Sequence, residues 1–137
     1  MLKIFFVLVY LFFNTAASDC VADETGSHVD VYYFLTNYRC ASCHKIENFT
    51  KEAVNENFTN ALNSGKLNYK SINIDKKENK HFIDKYQLFT KSVVLSLKKG
   101  GKERKNKNLS KVWEYLGNET KFKNYIIKET AAFVNEL

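Results

Sequence analysis

The sequence predicts an α/β domain in which helices cover a mixed β-sheet. Three patterns carry this prediction. A strand-like run, HVDVYYFLT, precedes a segment of helical periodicity and a second strand-like run, LNYKSINID, as in a crossover between parallel strands. A third apolar run, VVLSL, precedes Gly100-Gly101, a dipeptide typical of a two-residue hairpin turn. A crossover followed by a hairpin produces a sheet with both parallel and antiparallel neighbours.

The first half of the domain is predicted to contain two strands and two helices. Alternating β-branched and aromatic residues predict a strand at residues 29–35. Apolar residues recur at helical spacing from Cys43 onward, and Gly65 is placed to end that helix in a left-handed conformation. A second strand at residues 67–75 and a short helix at residues 79–86 follow.

The second half is predicted to contain the hairpin and two further helices. The third strand is expected at residues 93–97, and a weak, charged fourth strand around residues 103–105. Residues 109–116 predict a helix whose apolar stripe carries Trp113 into the core. Asn118 is placed to cap the last helix.

Residues 1–18 are predicted to be a secretory signal peptide rather than part of the fold. Lys3 provides a positive start, residues 4–13 are an unbroken apolar run, and cleavage is expected after Ala17 or Ser18. The apolar run is about half as long as a membrane-spanning helix. We therefore expect an extracytoplasmic protein, periplasmic or secreted, that meets the membrane only through its transient signal peptide.

The remaining chain is predicted to form one domain. Residues 19–27 are expected to be a flexible lead-in, and residues 28–137 the folded domain, acting as a monomer. The sequence contains three cysteines, and cysteines outside the cytosol normally pair. Cys40 and Cys43 are close enough in sequence to do so, which leaves Cys20 as the odd one in the lead-in.

The net charge of +6 is concentrated in the predicted hairpin, at residues 98–111. Two interpretations stay open: a solvated hairpin face, and a surface that docks an acidic partner or a membrane. Nucleic acid is not an expected partner, because the chain is predicted to be exported and its basic segment lacks interleaved aromatic residues.

The segment NYRCASCHK carries the predicted chemistry, because it places two cysteines where a strand ends and a helix begins. Unpaired N–H groups and the positive dipole end of the helix stabilise a thiolate on Cys40, and the one-turn spacing brings Cys43 within bonding range. Arg39 and Lys45 add positive charge nearby. We expect Cys40 to attack and Cys43 to resolve. An inert disulfide that fastens the helix start is the alternative.

The same letters leave metal-based alternatives open. C-x-x-C-H is also the spelling of haem attachment, but the only methionine that could act as a distal ligand is Met1, in the predicted signal peptide. Zinc or an iron–sulfur cluster needs about four ligands, whereas Cys40, Cys43 and His44 supply three. A cluster shared between two chains stays open. The main prediction is no metal and no cofactor beyond a redox-active disulfide.

The strand, the C-x-x-C pair and the helix together resemble a thioredoxin. The resemblance continues through INID, and through YQLFTKSVVLSLKKG against the thioredoxin-type pattern Y-G-I-x-x-I-P-T-L-L-L-F-K-N-G. It implies a thioredoxin-like three-layer α/β/α fold with a mixed four-stranded sheet and an extra helix before the C-terminal helix. The fuller pattern, with RCASCHKIENFTKEA and NLSKVWEYLGNETKFKNYI, is similar to a small exported bacterial family, the nitrophenyl-compound nitroreductase subunit ArsF family.

The departures from thioredoxins are expected to alter the site. Arg39 stands where the resemblance implies tryptophan, Phe34 where it implies a buried acid, and Ser71 where it implies that acid's lysine partner. That acid and lysine help to move protons, so the protein is expected either to use another base, for which His44 is a candidate, or to exchange slowly. Ser92 occupies the place of a cis-proline. We expect a trans bond before it, altered pairing with substrate, and weaker exclusion of metal from the two sulfurs.

These observations give two functional hypotheses. The first is an extracytoplasmic oxidoreductase that exchanges thiols for disulfides with a protein partner through Cys40 and Cys43. The second is a non-catalytic accessory or binding subunit that keeps the fold and carries a structural or metal-binding pair. The missing proline, tryptophan and buried acid favour the second hypothesis.

Overall fold

The computed structural model describes residues 26–137. The predicted signal peptide, its cleavage site, Cys20 and most of the lead-in lie outside the described residues, and those predictions are not tested by it. Eight helices and strands follow in chain order: β1 His28–Leu35, α1 Ala41–Asn57, α2 Thr59–Asn63, β2 Leu67–Asn73, α3 His81–Tyr86, β3 Ser92–Lys99, β4 Lys102–Asn108 and α4 Glu119–Val134. Single 3₁₀ turns occur at Lys77–Asn79 and Ser110–Val112.

The sheet has the strand order β2-β1-β3-β4. β1 pairs with β2 in parallel, from Val29 opposite Leu67 to Leu35 opposite Asn73. β1 pairs with β3 and β3 with β4 in antiparallel directions. This is the order and direction expected of a thioredoxin-like sheet, so the prediction of a mixed four-stranded sheet is confirmed.

Alternate residues of β1 face two separate cores, which makes the fold three-layered. Val29, Val31 and Tyr33 face the side covered by α1 and α4, where Ile46, Val54, Phe122 and Ile126 are buried. Tyr32 and Phe34 face the side covered by α3, where Ile74, Tyr86, Leu88 and Val94 are buried. A strand that is buried on both faces carries a near-continuous run of apolar residues, which explains the continuous patch at the end of HVDVYYFLT.

The predicted single helix before Gly65 is divided at Phe58. There the backbone leaves the helical region, with φ −128° and ψ 30°, and α2 starts again at Thr59. Two side chains at the break bond to carbonyls one turn earlier: Asn57 to Ala53, and Thr59 to Asn55. Phe58 packs against the core, so tertiary packing and competing polar side chains end α1 before the glycine does.

The predicted extra helix at residues 109–116 is wrong in extent, because only Ser110–Val112 form a 3₁₀ turn. The Leu109 N–H donates to the Val93 carbonyl at 2.8 Å and so extends the sheet past the end of β4. β4 is correspondingly longer than its charged sequence predicts. Asn118 caps α4 as predicted, with its side-chain oxygen accepting from the Lys121 N–H at 2.9 Å.

A buried carboxylate, which the strand pattern did not predict, connects three strands at the start of β1. The Asp30 side chain is fully buried. Its oxygens lie close to side chains from β1, β2 and β3: Lys98 at 2.8 Å, Tyr32 at 2.9 Å, Lys70 at 3.1 Å, Asn68 at 3.2 Å and His28 at 3.5 Å. Burial alone raises the pKa of Asp30, but the bonds from Lys98, Lys70 and Tyr32 outweigh it and lower the pKa to about 2.

No helix within residues 26–137 is long and apolar enough to cross a membrane.

We expect Asp30→Asn to lower the free energy of unfolding at neutral pH by roughly 2 kcal/mol, since one unit of pKa shift corresponds to about 1.4 kcal/mol. The folded-state pKa is depressed, so this stability is present above the ordinary pKa of 3.8 and is lost as the pH falls toward about 2. Urea unfolding followed by circular dichroism at about pH 7, 4 and 2 measures it.

Asp84→Asn is the matched control, because Asp84 is an exposed carboxylate on α3. It should change the unfolding free energy by less than about 0.5 kcal/mol. Equal losses in the two variants, or a loss in Asp30→Asn that is undiminished at pH 2, would contradict the assignment.

Candidate redox site at the start of α1

Cys40 and Cys43 form a disulfide at the first turn of α1, with their Cα atoms 5.1 Å apart. Cys40 is the N-cap residue, in an extended conformation, and its sulfur accepts from the Cys43 N–H at 3.3 Å. Cys40 is half-buried, whereas Cys43 is fully buried. The sulfur at the helix N-terminus is therefore the one that a partner can reach.

The loop between β1 and Cys40 is held by the end of β2. The Asn37 N–H donates to the Asp75 carboxylate at 2.7 Å, and the Asn73 side chain donates to Asn37 Oδ1 at 2.7 Å. Ile74 extends the parallel pairing by donating to the Leu35 carbonyl at 2.9 Å. The INID segment thus positions the two cysteines relative to the sheet.

Tyr33 binds the backbone of the buried cysteine, Cys43. Its hydroxyl donates to the Cys43 carbonyl at 2.8 Å, which joins the first turn of α1 to β1. Burial raises the pKa of Tyr33 to about 12, so the hydroxyl keeps its proton and stays a donor at neutral pH. The apolar spacing of β1 gave no sign of this contact.

Arg39, His44 and Lys45, the three predicted supporting residues around the cysteines, are placed differently from one another. The Arg39 guanidinium pairs with the Glu47 carboxylate and lies 3.3 Å from His44 Nδ1. In that contact the imidazole nitrogen must accept, since a guanidinium has only donors. Lys45 is exposed, and it makes no ion pair within the described part of the chain. Arg39 is therefore already partnered, which reduces its contribution to a Cys40 thiolate.

Glu47 is a site residue that the sequence analysis missed. Its Oε2 pairs with Arg39, and its Oε1 accepts from the Ser71 hydroxyl at 2.7 Å. Ser71 is the position where the resemblance implied a lysine. The available signal was the spacing, because Glu47 follows Cys43 by four residues and so lies on the same face of α1.

Ser92 begins β3 directly opposite Phe34, near the end of β1. It is buried, and its hydroxyl donates to the Thr90 carbonyl at 2.8 Å. Every peptide bond within the described residues is trans, including the bond before Ser92, as predicted. Phe34 is fully buried among the rings of Tyr32, Phe82 and Tyr86, so no acid reaches the disulfide from this position.

Trp113 is not a core residue as predicted, because 37% of its surface is exposed. Its indole N–H donates to the Lys91 carbonyl at 3.0 Å, which holds the ring beside the loop before β3. The Lys91 ammonium lies 5.4 Å from the centre of the Tyr38 ring. Phe89 (94% exposed), Trp113 and Ser92 line one cavity of about 170 Å³.

We call Tyr38, Phe89 and Trp113 the aromatic surface. They are the exposed large apolar side chains of the described region, and all three adjoin the loop before β3 or the segment before Cys40. Phe89 and Trp113 are far apart in sequence, so their meeting depends on the sheet.

The described residues bring no three potential metal-ligating side chains together. The sulfurs of Cys40 and Cys43 bond to each other, and His44 Nδ1 faces Arg39. The alternative ligand set Cys40, Cys43 and His44 is therefore not assembled in this oxidised form.

The chain has a thioredoxin-like fold. No protein-family model matches the sequence, and none of the curated proteins matches it. Solved structures similar to it include a thioredoxin from Fasciola hepatica, with 19% identity and a TM-score of 0.42, covering 77% of this chain and 84% of that one. Another is described as a malarial protein, with 15% identity and a TM-score of 0.39, covering 59% and 80%. These distant similarities do not bear on function.

We expect the two cysteines to differ in reactivity once the disulfide is reduced. Cys40 should be alkylated first, because it is the more accessible sulfur and accepts an N–H bond at the helix N-terminus. Its alkylation rate should be half-maximal below the free-thiol pKa of about 8.5. Limiting iodoacetamide followed by peptide mass mapping measures both properties.

Cys20→Ser is the background for this measurement, since it leaves the pair as the only thiols. Cys43 in the same molecules is the internal control, and we expect it to be alkylated more slowly because it is fully buried. Equal labelling of the two cysteines, or a Cys40 midpoint at or above the free-thiol value, would refute this account.

Proposed function

We propose that this protein exchanges thiols for disulfides with a partner protein outside the cytoplasm, using Cys40 as the attacking thiol and Cys43 as the resolving thiol. One observation carries the proposal: the accessible sulfur caps the helix and accepts the Cys43 N–H, while its bonded partner is fully buried. A purely structural disulfide does not require one accessible sulfur and one buried sulfur. The disulfide itself is the redox group, and no other cofactor is invoked.

The exchange has two steps, and atoms and electrons balance in each. The Cys40 thiolate attacks one sulfur of a partner disulfide, the partner bond breaks, and the second partner sulfur leaves as a thiolate. The Cys43 thiolate then attacks Cys40 Sγ, forming the Cys40–Cys43 bond and releasing the first partner sulfur. The partner gains two electrons and two protons, and the pair loses them. Oxidation of a partner dithiol is the same sequence reversed.

A protein segment is the proposed partner because exposed aromatic side chains lie both in the segment before Cys40 and beside the loop before β3. Tyr38 is two residues before Cys40, and Phe89 and Trp113 line a cavity with Ser92 that has room for an apolar side chain. The net charge of +6 favours acidic partners and speeds their approach. We propose that the chain acts as a monomer and does not bind nucleic acid.

The location and the narrower family are parts of the same proposal. Extracytoplasmic action is supported by the signal-peptide pattern of residues 1–18. Membership of the nitrophenyl-compound nitroreductase subunit ArsF family is supported by the quoted sequence motifs alone. A mature N-terminus at Asp19 or Ser18, found by sequencing the exported protein, is the expected evidence for export.

A second candidate function is a non-catalytic accessory subunit. Phe34 and Ser92 favour it, because one removes the acid and the other the proline that accompany exchange in thioredoxins. In that case the disulfide fastens the start of α1 and the aromatic surface alone binds the partner. The two candidates differ in whether a covalent intermediate forms.

We expect Cys43→Ala to accumulate mixed disulfides with partner proteins, since the resolving thiol is missing and the Cys40 bond to the partner cannot be displaced. The variant is expressed with its own export signal, free thiols are blocked with acid and alkylating agent, and non-reducing electrophoresis with mass spectrometry detects the adducts. The purified wild-type protein should also catalyse reduction of insulin by dithiothreitol.

Cys40→Ala is the matched control, because it keeps one cysteine of the pair but removes the accessible sulfur. It should trap no partner. Absence of adducts in Cys43→Ala together with no insulin reduction would refute exchange and leave the accessory function. Adducts that are equally abundant in both variants would show nonspecific oxidation and would also refute it.

A further inference from the structure

Besides the cluster around Asp30, a second polar cluster lies on the α1 side of the sheet. Glu47 is its centre, held by Arg39 on one oxygen and by Ser71 on the other. The Glu47 side chain is 21% exposed and the Arg39 side chain 27%. Three separate segments, the loop before Cys40, helix α1 and strand β2, therefore contribute one side chain each to the cluster.

The spacing along α1 directs this carboxylate toward Cys43. Residues four apart in a helix share a face, and long helical side chains lean back toward the preceding turn. Glu47 accordingly extends over the turn that contains Cys43. Its contact with Arg39, which immediately precedes Cys40, requires that direction as well. The carboxylate is thus bound to the residue that immediately precedes Cys40 and lies on the helix face of Cys43.

Three other acids of the described region are bound to other groups. Asp30 lies four residues before Phe34 on β1, about 13 Å away at 3.3 Å per residue, and it is bound by two lysines. Asp75 holds the Asn37 N–H in the loop. Glu103 is bound to Tyr86 and Ser96 on the far face of the sheet.

The remaining titratable groups around Glu47 are two tyrosines, an arginine and a histidine. Burial raises the pKa of Tyr33 to about 12 and that of Tyr69 further, and the Glu47 charge adds to both shifts. Neither phenol is therefore a base at neutral pH, and a guanidinium has no proton-accepting site. His44 is exposed and turns Nδ1 toward Arg39. Among the groups named here within residues 26–137, His44 is the competing base.

We propose that Glu47, oriented by Arg39 and Ser71, is the base that accepts the proton of the Cys43 thiol in the resolving step. This inference rests on the proposed exchange function. It places the acid on helix α1 rather than on β1, where Phe34 leaves no carboxylate. A buried thiol resists ionisation, so the step needs a base that is itself fixed inside the protein.

The proton and electrons balance in this step. The Cys43 S–H bond breaks, its proton passes to the Glu47 carboxylate, and the electron pair stays on sulfur. That thiolate attacks Cys40 Sγ, the Cys40–Cys43 bond forms, and the bond from Cys40 to the partner sulfur breaks. The partner leaves as a thiolate and takes up a proton, and Glu47 releases its proton to solvent. Arg39 pairs with the Glu47 carboxylate before the carboxylate accepts the proton and again after it releases the proton.

The test follows the resolving step directly with one equivalent of dithiobis(nitrobenzoic acid) added to the reduced protein in the Cys20→Ser background. Attack by Cys40 releases a first coloured thionitrobenzoate and leaves the second attached to Cys40. Attack by Cys43 then releases the second. Stopped-flow absorbance therefore gives one rate for each cysteine in a single experiment.

We expect Glu47→Gln to keep the first release within about twofold and to slow the second at least about tenfold at neutral pH, as removal of a general base does. The wild-type rate of the second release should change little with pH near neutrality, because the protein supplies the base. In Glu47→Gln the rate should instead keep rising with pH, as for a thiol that ionises unaided. A slower rate with an unchanged pH profile would indicate a structural role and overturn the proposal.

Glu52→Gln is the matched control, since Glu52 is a carboxylate on the same helix that is paired with Lys123, away from the cysteines. It should retain both wild-type rates. His44→Gln tests the competing base. If the pH dependence of the second release changes in His44→Gln but not in Glu47→Gln, the assignment of Glu47 as the base is overturned. Ser71→Ala keeps the carboxylate but loses one of its orienting bonds, and we expect it to slow the second release to an intermediate extent.

Circular dichroism and unfolding midpoints accompany each variant. If Glu47→Gln fails to fold, Glu47→Asp replaces it, because aspartate keeps the charge that pairs with Arg39 but withdraws it by one methylene. We expect the second release to be several-fold slower in Glu47→Asp, and a wild-type rate would overturn the proposal. Absence of any second release in the wild-type protein would instead refute the exchange function. Two wild-type phases with an unaltered Glu47→Gln second phase would refute only the role of Glu47.

Discussion

The structure depends on the burial of β1 on both faces and its pairing on both edges. This strand lies between β2 and β3, and its alternate side chains supply both cores. Asp30, near its beginning, connects β1 to lysines from both neighbouring strands, and its end leads through a short loop to Cys40. Because a central strand cannot shift without disturbing both cores, the position of the cysteines is fixed by it.

The polar groups of the candidate site lie on the α1 side of the sheet, and the α3 side is aromatic. The Phe34 ring packs against the rings of Tyr32, Phe82 and Tyr86. These aromatic contacts stabilise the packing of α3 on the sheet. The polar groups near the disulfide then come from the other side, where Glu47 connects Arg39 to Ser71. Charge is thereby kept close to the cysteines without placing a carboxylate in the apolar core, where burial would be costly.

Positive charge and exposed aromatic rings occur together beside the loop before β3. Lys91 joins the two features, because its ammonium lies over Tyr38 and its carbonyl accepts from Trp113. The basic edge strand β4 is partly neutralised by α4, through the pair Lys107 with Glu129, and by the residues after α4, through the pair Lys105 with Glu136. This favours the solvated-face interpretation for those two lysines and leaves the aromatic surface as the more specific feature for a partner.

The sequence by itself determined the order of the four strands, the mixed sheet, the hairpin at Gly100-Gly101, the cap at Asn118 and the pair Cys40–Cys43. These follow from periodicity and local chemistry, which act over a few residues. Only the tertiary structure decided the rest: the break at Phe58, the exposure of Trp113, the Asp30 network and the cluster around Glu47. Each of these joins residues from different elements. Long-range packing and the pairing of charges set them, and no local pattern encodes which partner a side chain will meet.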